Sequence, residues 1–244
     1  MKARSVAFQF LLYGWTALFG LSILPLLAGP RHWNVEVGKI WSLIVFWMLA
    51  RIVGLDHQVR GQEYIPDRPV LFAFKHQSAW ETVAANRLIY DPAIVLKREL
   101  SFIPFYGWFL VKTGMIAIDR ARGGAALRKM VETARRRLSE GRSILTFPEG
   151  TRTSVGTEAR YHPGIFALYA ALDAPVVPVA LNSGLFWRRR GSVILPGRIT
   201  VEYLPPIPLG LRRKEFMSVL EDRIETATAR LVSEAEQEYL PHLH

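Results

Sequence analysis

Cysteine is absent from this 244-residue chain, and that single absence removes thiol nucleophiles, disulfides and thiolate metal sites together. No G-x-S-x-G elbow occurs either, so the sequence carries no sign of a covalent acyl-enzyme. Zinc-finger spacing is missing, and no basic stripe is interleaved with base-stacking aromatics, which leaves no recognisable surface for nucleic acid. No other metal-ligand spacing, internal repeat or low-complexity segment is present. Acidic residues are the scarcer charge, with 21 Asp and Glu against 31 Lys and Arg, for a formal charge of +10. Half of the residues are hydrophobic, and a basic, apolar chain suits an anionic membrane better than nucleic acid.

Charge itself is missing from Val6 to Gly29, a run of 24 residues. At ~1.5 Å of rise per residue, a helix of that length covers roughly 36 Å and can cross a ~30 Å hydrocarbon core. Lys2 and Arg4 ahead of the run resemble a signal-peptide n-region, but the run is long for an h-region and lacks an A-x-A cleavage pattern. A second apolar run, Ile40 to Ala50, follows a short polar turn around Arg31 and Asn34 and ends at Arg51. Together they predict a hydrophobic helical hairpin that spans the bilayer or dips into one leaflet. Lys2, Arg4 and Arg51 place both of its ends on the cytoplasmic side. The alternative is a buried helix pair in a soluble fold. The expected organisation is an anchor over residues 1–55 and a single domain over 56–244, because the chain is too short for two comfortable domains.

Beyond a linker at Gly61–Pro69, short apolar runs of strand length alternate with helical patterns. The runs are Val70–Phe74, Ala93–Lys97, Met115–Ile118, Ser143–Phe147, Val176–Leu181 and Arg198–Tyr203. From about Ala125 to Glu140, Leu127, Met130, Val131, Ala134 and Leu138 share one helical face, and Gly141 supplies the stop. A second amphipathic helix runs from Arg212 to Tyr239 along Phe216, Val219, Leu220, Ile224, Ala227 and Leu231. The predicted fold class is α/β, a mixed sheet flanked by helices and preceded by the N-terminal hydrophobic helical hairpin.

Chemistry in such sheets collects where strands end, and three strand ends carry suitable groups. His76 follows the first run, with Glu81 five residues on. On one regular helix that spacing separates the side chains by about 140°, so they meet only if His76 lies in the turn before a helix and Glu81 in its first turns. The carboxylate then holds one imidazole nitrogen and leaves the other as a general base toward an alcohol. Asp119 and Arg120 follow the third run. Phe147-Pro-Glu-Gly-Thr-Arg152 ends the fourth. There Gly150 permits positive φ and close approach of a ligand, Arg152 offers a bidentate fork for phosphate, and Thr151 offers a hydroxyl donor. Glu149 either accepts from a substrate hydroxyl or holds the arginine. The apolar strand Pro175–Leu181 supports the site.

In this order and at these distances, the segments resemble the glycerolipid acyltransferase family, specifically bacterial 1-acylglycerol-3-phosphate acyltransferases. The family's histidine–acid motif is matched by His76 and Glu81, its Gly…Asp-Arg strand end by Gly114–Arg120, its Phe-Pro-Glu-Gly-Thr-Arg motif without change by Phe147–Arg152, and its Pro-rich strand by Pro175–Val179. Lys97, Glu99, Leu100 and Ile103–Gly107 also look like the stretch before the second motif. The resemblance covers Val70 to Leu181. Two positions depart from it: the acid is usually Asp rather than Glu81, and the residue before the histidine is often Asn rather than Lys75.

The resemblance implies acyl transfer from acyl-CoA or acyl-acyl carrier protein to the sn-2 hydroxyl of lysophosphatidic acid, with no bound cofactor and no metal. His76 and Glu81 would be the catalytic pair. Arg120, Glu149, Gly150, Thr151, Arg152 and Lys97 would surround the substrate phosphate. The implied partners are the lysophospholipid, anionic membrane lipids and acyl carrier protein, at the cytoplasmic (inner) membrane with the catalytic domain facing the cytoplasm. The runs Arg135–Arg137 and Arg188–Arg190 fit attraction to anionic headgroups as well as they fit simple solubility. Left open are another acceptor such as lyso-ornithine lipid, a lipid hydrolase, and a non-catalytic membrane-surface binding protein.

Overall fold

The structure, a computed structural model, describes residues 1–158, 160–239 and 241. Two helices come first, α1 (Lys2–Ser22) and α2 (Arg31–Met48), joined through a tight turn at Leu24–Ala28. A wide helical turn, Leu49–Val53, leads into β1 (Leu55–Arg60). There follow β2 (Leu71–Phe74), α3 (Trp80–Leu88), β3 (Ala93–Lys97), α4 (Tyr106–Lys112), β4 (Ile116–Ile118), α5 (Gly123–Ser139) and β5 (Ile144–Thr146). The chain continues through α6 (Gly164–Ala171), β6 (Val176–Leu181), α7 (Ser183–Phe186), β7 (Gly197–Tyr203) and α8 (Arg213–Tyr239).

Among the described residues the strands form one seven-stranded sheet in the order β1-β7-β6-β2-β5-β3-β4. Every neighbouring pair is parallel except β6–β7, so the sheet is mixed as expected. Parallel strands need crossover helices on both faces, and side-chain alternation divides the core accordingly. Phe72, Phe74, Val177, Val179 and Val201 pack toward α2 and α3, against Val45, Phe46, Trp80 and Ala84. Leu71, Ala73, Ile144 and Val176 face α5, α6 and α8, against Met130, Ala134, Leu168, Phe216 and Leu220. β6 is buried at all six positions, which is why its sequence reads as an unbroken apolar run.

β1 was not expected from the sequence. Leu-Asp-His-Gln-Val-Arg alternates only weakly, and its edge position leaves most of it half-exposed. Six residue pairs with β7 make it a strand.

The hairpin is present, but its two helices do different jobs. α1 is long and apolar enough to cross a membrane. Of its side chains only Ser5 and Phe8 are buried, and Phe10, Tyr13, Leu18 and Leu21 project outward. An exposed apolar helix of this kind is a membrane-association element. α2 instead lays Asn34, Val35, Ser42, Val45 and Phe46 against the domain. The expected polar turn at Arg31 and Asn34 is therefore a correction: both residues lie in the first turn of α2. Asn34 Nδ2 donates to the Leu26 carbonyl (2.9 Å) and closes the preceding bend. Arg31 reaches Asp91 (2.8 Å), tying the helix start to the loop before β3. Arg4 Nε donates to the Ile52 carbonyl (2.7 Å), so Lys2, Arg4 and Arg51 gather at one end of the hairpin.

Candidate active site

Because β2, β5, β3 and β4 run parallel, the segments after them emerge at one edge of the sheet. β2 ends at Phe74 and α3 starts at Trp80, so His76 occupies the turn and Glu81 the first helical turn. Ser78 Oγ accepts from the Trp80 N–H (2.8 Å), which starts the helix at that point.

Glu81 is fully buried. Its carboxylate accepts from the backbone N–H groups of Gln77 (3.1 Å) and Ser78 (3.0 Å) and from the hydroxyl of Ser183 on α7. Those donors satisfy and orient a charge that burial would otherwise penalise heavily. One oxygen stands 3.5 Å from His76 Nδ1. Nδ1 is buried and makes no hydrogen bond among the described residues, so a small contraction toward Glu81 completes the pair; such contacts in unliganded sites are commonly long. The ring stacks on Phe147, with centroids 4.0 Å apart. Its side chain is 14% exposed although Nδ1 is buried, so the open edge is the far one.

The loop after β5 is strapped to this turn. Glu149 accepts from the His76 N–H (2.7 Å) and from Thr153 Oγ1 (2.7 Å), and pairs with Lys75 Nζ (2.5 Å). The Thr153 N–H donates to the His76 carbonyl (2.8 Å). Burial pushes the Glu149 carboxyl above the usual carboxylate range, while the Lys75 ammonium, Thr153 hydroxyl and His76 amide oppose that rise. Lys75 also holds Glu225 of α8 at 2.7 Å, and the Tyr161 hydroxyl donates to the same carboxylate (2.8 Å). Burial and the adjacent carboxylates raise Tyr161 above the ordinary phenol range, so it stays a donor. Lys75 is thus buried, with its charge taken up by Glu149 and Glu225.

Gly150 has φ +66°, and a Cβ there would stand 2.9 Å from Arg120 Nη1 and 2.8 Å from His162 Cδ2. Arg120 Nη1 donates to the Gly150 carbonyl (2.8 Å), joining the strand end after β4 to the loop after β5. Arg120 and Arg152 make no ion pair among the described residues, and Thr151 is exposed. Lys97 is exposed at the end of β3, in register with Ile118. Asp119 pairs with Arg98 (2.7 Å) and Arg122 (3.2 Å), which stiffens the turn carrying Arg120. Asp119's neighbours hold its carboxyl below the usual carboxylate range, the Arg98 hydrogen bond foremost. A histidine poised by a buried acid, on a sheet edge whose loops also carry Arg120 and Arg152, can remove an alcohol proton beside an anion.

The sequence alone did not point to Thr153, Ser183 or Glu225. Thr153 and Ser183 are small polar residues that match many surface positions. Lys75 did carry a signal: a lysine closing a wholly apolar strand must find a buried partner.

A family model described as Acyltransferase matches residues 56–182. The chain belongs to the acyltransferase family. It is 33% identical over 237 residues to the 1-acyl-sn-glycerol-3-phosphate acyltransferase of Pseudomonas aeruginosa, covering 95% of this chain and 91% of that protein. It is 28% identical over 214 residues to the human 1-acyl-sn-glycerol-3-phosphate acyltransferase alpha, covering 86% of this chain and 75% of that one. Its fold matches the crystal structure of the 1-acyl-sn-glycerophosphate (LPA) acyltransferase PlsC from Thermotoga maritima, with a TM-score of 0.76 at 21% identity over 95% of this chain and 98% of that chain.

Proposed function

We propose that this acyltransferase moves a fatty acyl group from a thioester donor, acyl-CoA or acyl-acyl carrier protein, to the sn-2 hydroxyl of lysophosphatidic acid, giving phosphatidic acid for phospholipid synthesis. The observation that carries this reading is the buried Glu81 carboxylate 3.5 Å from His76 Nδ1, on the sheet edge that also presents Arg120 and Arg152. The similarity over most of the chain to 1-acyl-sn-glycerol-3-phosphate acyltransferases supports the acceptor.

His76 Nε2 takes the hydroxyl proton as that oxygen attacks the thioester carbonyl. The intermediate collapses, the C–S bond breaks, and the imidazolium returns its proton to the departing thiolate. One C–O bond replaces one C–S bond, with no acyl-enzyme between them. Glu81 orients the ring and stabilises the imidazolium. Arg120, Arg152, Thr151 and Lys97 hold the acceptor phosphate, and Gly150 lets backbone approach it. Glu149 has its oxygens taken by Lys75, His76 and Thr153. It therefore places the histidine turn and does not touch phosphate, which its own charge would repel.

Residues 1–55 anchor the chain at the cytoplasmic membrane, with residues 56–244 as the catalytic domain on the cytoplasmic side. The acceptor's acyl chain costs about 0.8 kcal/mol per CH₂ to expose to water, so a site held at the bilayer takes its substrate laterally. The excess of basic residues attracts anionic lipids and an acidic carrier protein.

The test is acyl transfer by the purified protein in vesicles, offering both donors with lysophosphatidic acid, lyso-ornithine lipid and other lysophospholipids. His76→Ala should lose ~10³-fold in rate while staying membrane-bound, and a wild-type rate in that variant ends the catalytic reading. Acylation of lyso-ornithine lipid but not of lysophosphatidic acid overturns the acceptor.

A further inference from the structure

Beyond the N-terminal hairpin, nine large hydrophobic side chains are exposed among the described residues, and six of them fall within ten positions between β3 and β4: Phe102, Ile103, Phe105, Tyr106, Trp108 and Val111. Phe102 is 68% exposed and Val111 67%. Soluble surfaces scatter such residues singly; a cluster of this size marks an interaction surface.

The helix at its centre has apolar residues on both sides. In α4, Gly107 and Leu110 are buried, whereas Trp108 and Val111 point outward. A helix apolar all round needs apolar surroundings all round, and the protein supplies only the inner half. The outer half cannot turn inward. A Cβ on Gly107 would lie 2.2 Å from the Ser101 carbonyl oxygen, so α4 already presses on the turn before it.

The backbone is strained where the segment turns outward. Phe105 has φ +63° and ψ −62°, and the Tyr106 N–H donates to the Pro104 carbonyl (2.7 Å). This is the rarer, strained form of the three-residue turn, held by a residue other than glycine. Strain of this kind persists where a site uses it. Phe105 and Trp108 then meet edge to face, 5.2 Å between centroids.

Two further observations identify the occupant. The segment's helix touches the bend at Leu24–Ala28 and α2, and Arg31 at the start of α2 donates to the Thr113 carbonyl just beyond it (3.3 Å), so its apolar surface adjoins the bend that closes the hairpin. Its flanks are basic: residues 97–112 contain Lys97, Arg98 and Lys112 against one acid, Glu99. Trp, Tyr and Phe bordered by Lys and Arg have the composition of a protein segment lying in a membrane interface.

We infer that residues 102–111 form a second membrane-inserting element, which sinks into the interface of an anionic bilayer beside the bend of the N-terminal hairpin. Because the segment follows β3 on the same sheet edge as His76 and Arg120, insertion seats the mouth of the catalytic edge on the bilayer. The insertion itself stands on the surface alone; its link to substrate delivery rests on the proposed lysolipid reaction.

The absence of native cysteine makes the test clean. Val111→Cys in the full chain, labelled with an environment-sensitive fluorophore and placed in phosphatidylglycerol–phosphatidylcholine vesicles, should shift to the blue. Its emission should be quenched by brominated lipid and protected from iodide. The same label at the exposed Thr157 should be quenched by iodide alone. Iodide quenching at residue 111 without brominated-lipid quenching overturns the inference. So does a blue shift that appears in lipid-free detergent as protein concentration rises, which would instead make this face a contact between copies.

Separately, Phe102→Ser with Trp108→Ser should raise the apparent KM for vesicle-borne long-chain lysophosphatidic acid about tenfold. Transfer to a short-chain, water-soluble acceptor should stay unchanged. Equal loss on both acceptors overturns the delivery role. No transfer to either acceptor by the unaltered protein counts against the reaction and leaves the fluorescence result standing.

Discussion

Replacing Lys75 with methionine tests whether the buried charge cluster behind the histidine holds the site together. Lys75 is 2% exposed, and its ammonium lies 2.5 Å from Glu149 and 2.7 Å from Glu225. Methionine fills most of the volume but leaves the Glu149 carboxylate, itself 1% exposed, without its cation. Removing one partner of a buried pair typically costs ~3–5 kcal/mol. For a domain of this size, ~2–4 °C accompanies each kcal/mol, so the melting temperature should fall by roughly 6–20 °C. Thermal unfolding followed by tryptophan fluorescence, in one detergent for all variants, measures it. The triple variant Lys75→Met, Glu149→Gln, Glu225→Gln removes the stranded charges as well and should recover at least half of that loss. A drop below about 1 kcal/mol for the single variant, on the same scale, refutes the reasoning. A triple variant less stable than the single one refutes it equally.

Three further expectations follow from the site. Arg152→Ala should chiefly raise the apparent KM for the acceptor; an effect confined to the thioester donor contradicts the phosphate role. Gly150→Ala removes no functional group, yet a residue forced to φ +66° against Arg120 should cost about 1–3 kcal/mol locally. Steady-state kinetics should show a large loss of rate, and wild-type activity would mean that the loop is not rigid. Ser183→Ala withdraws one hydrogen bond from the buried Glu81, a charge-assisted contact of about 1.5–3 kcal/mol. It should lower kcat about tenfold or more with little change in acceptor KM, and Ser183→Thr should restore part of it; an unchanged kcat would leave the hydroxyl without a role.

Much of the architecture was legible because it is local. The five-residue spacing of His76 and Glu81 ruled out one continuous helix and required a turn followed by a helix start, which is the arrangement between β2 and α3. The 3.6-residue apolar stripes marked α5 and α8 to within two residues of their ends. Short Val- and Ile-rich runs marked six strands. In each case a window of a few residues contains the side-chain period that burial selects. β1 escaped because its strand character comes from β7, 142 residues away in register. The role of α2 escaped for a similar reason: its polar first turn reads as a loop until Asp91 supplies the partner for Arg31.

The candidate reacting groups were readable from the chain itself, since a histidine, an acid and arginines at strand ends are chemical types at fixed spacings. What holds them was decided by the sheet order. β5 is inserted between β2 and β3, which carries Glu149 and Thr153 to the backbone of His76, 73 and 77 residues away. Ser183 reaches Glu81 across 102 residues, and Glu225 reaches Lys75 across 150. Hydrophobic periodicity records which side of an element is buried, but not which distant element covers it. Buried polar groups must find partners wherever the packed layers bring donors and acceptors within hydrogen-bond reach, so those pairings exist only once the whole sheet has assembled.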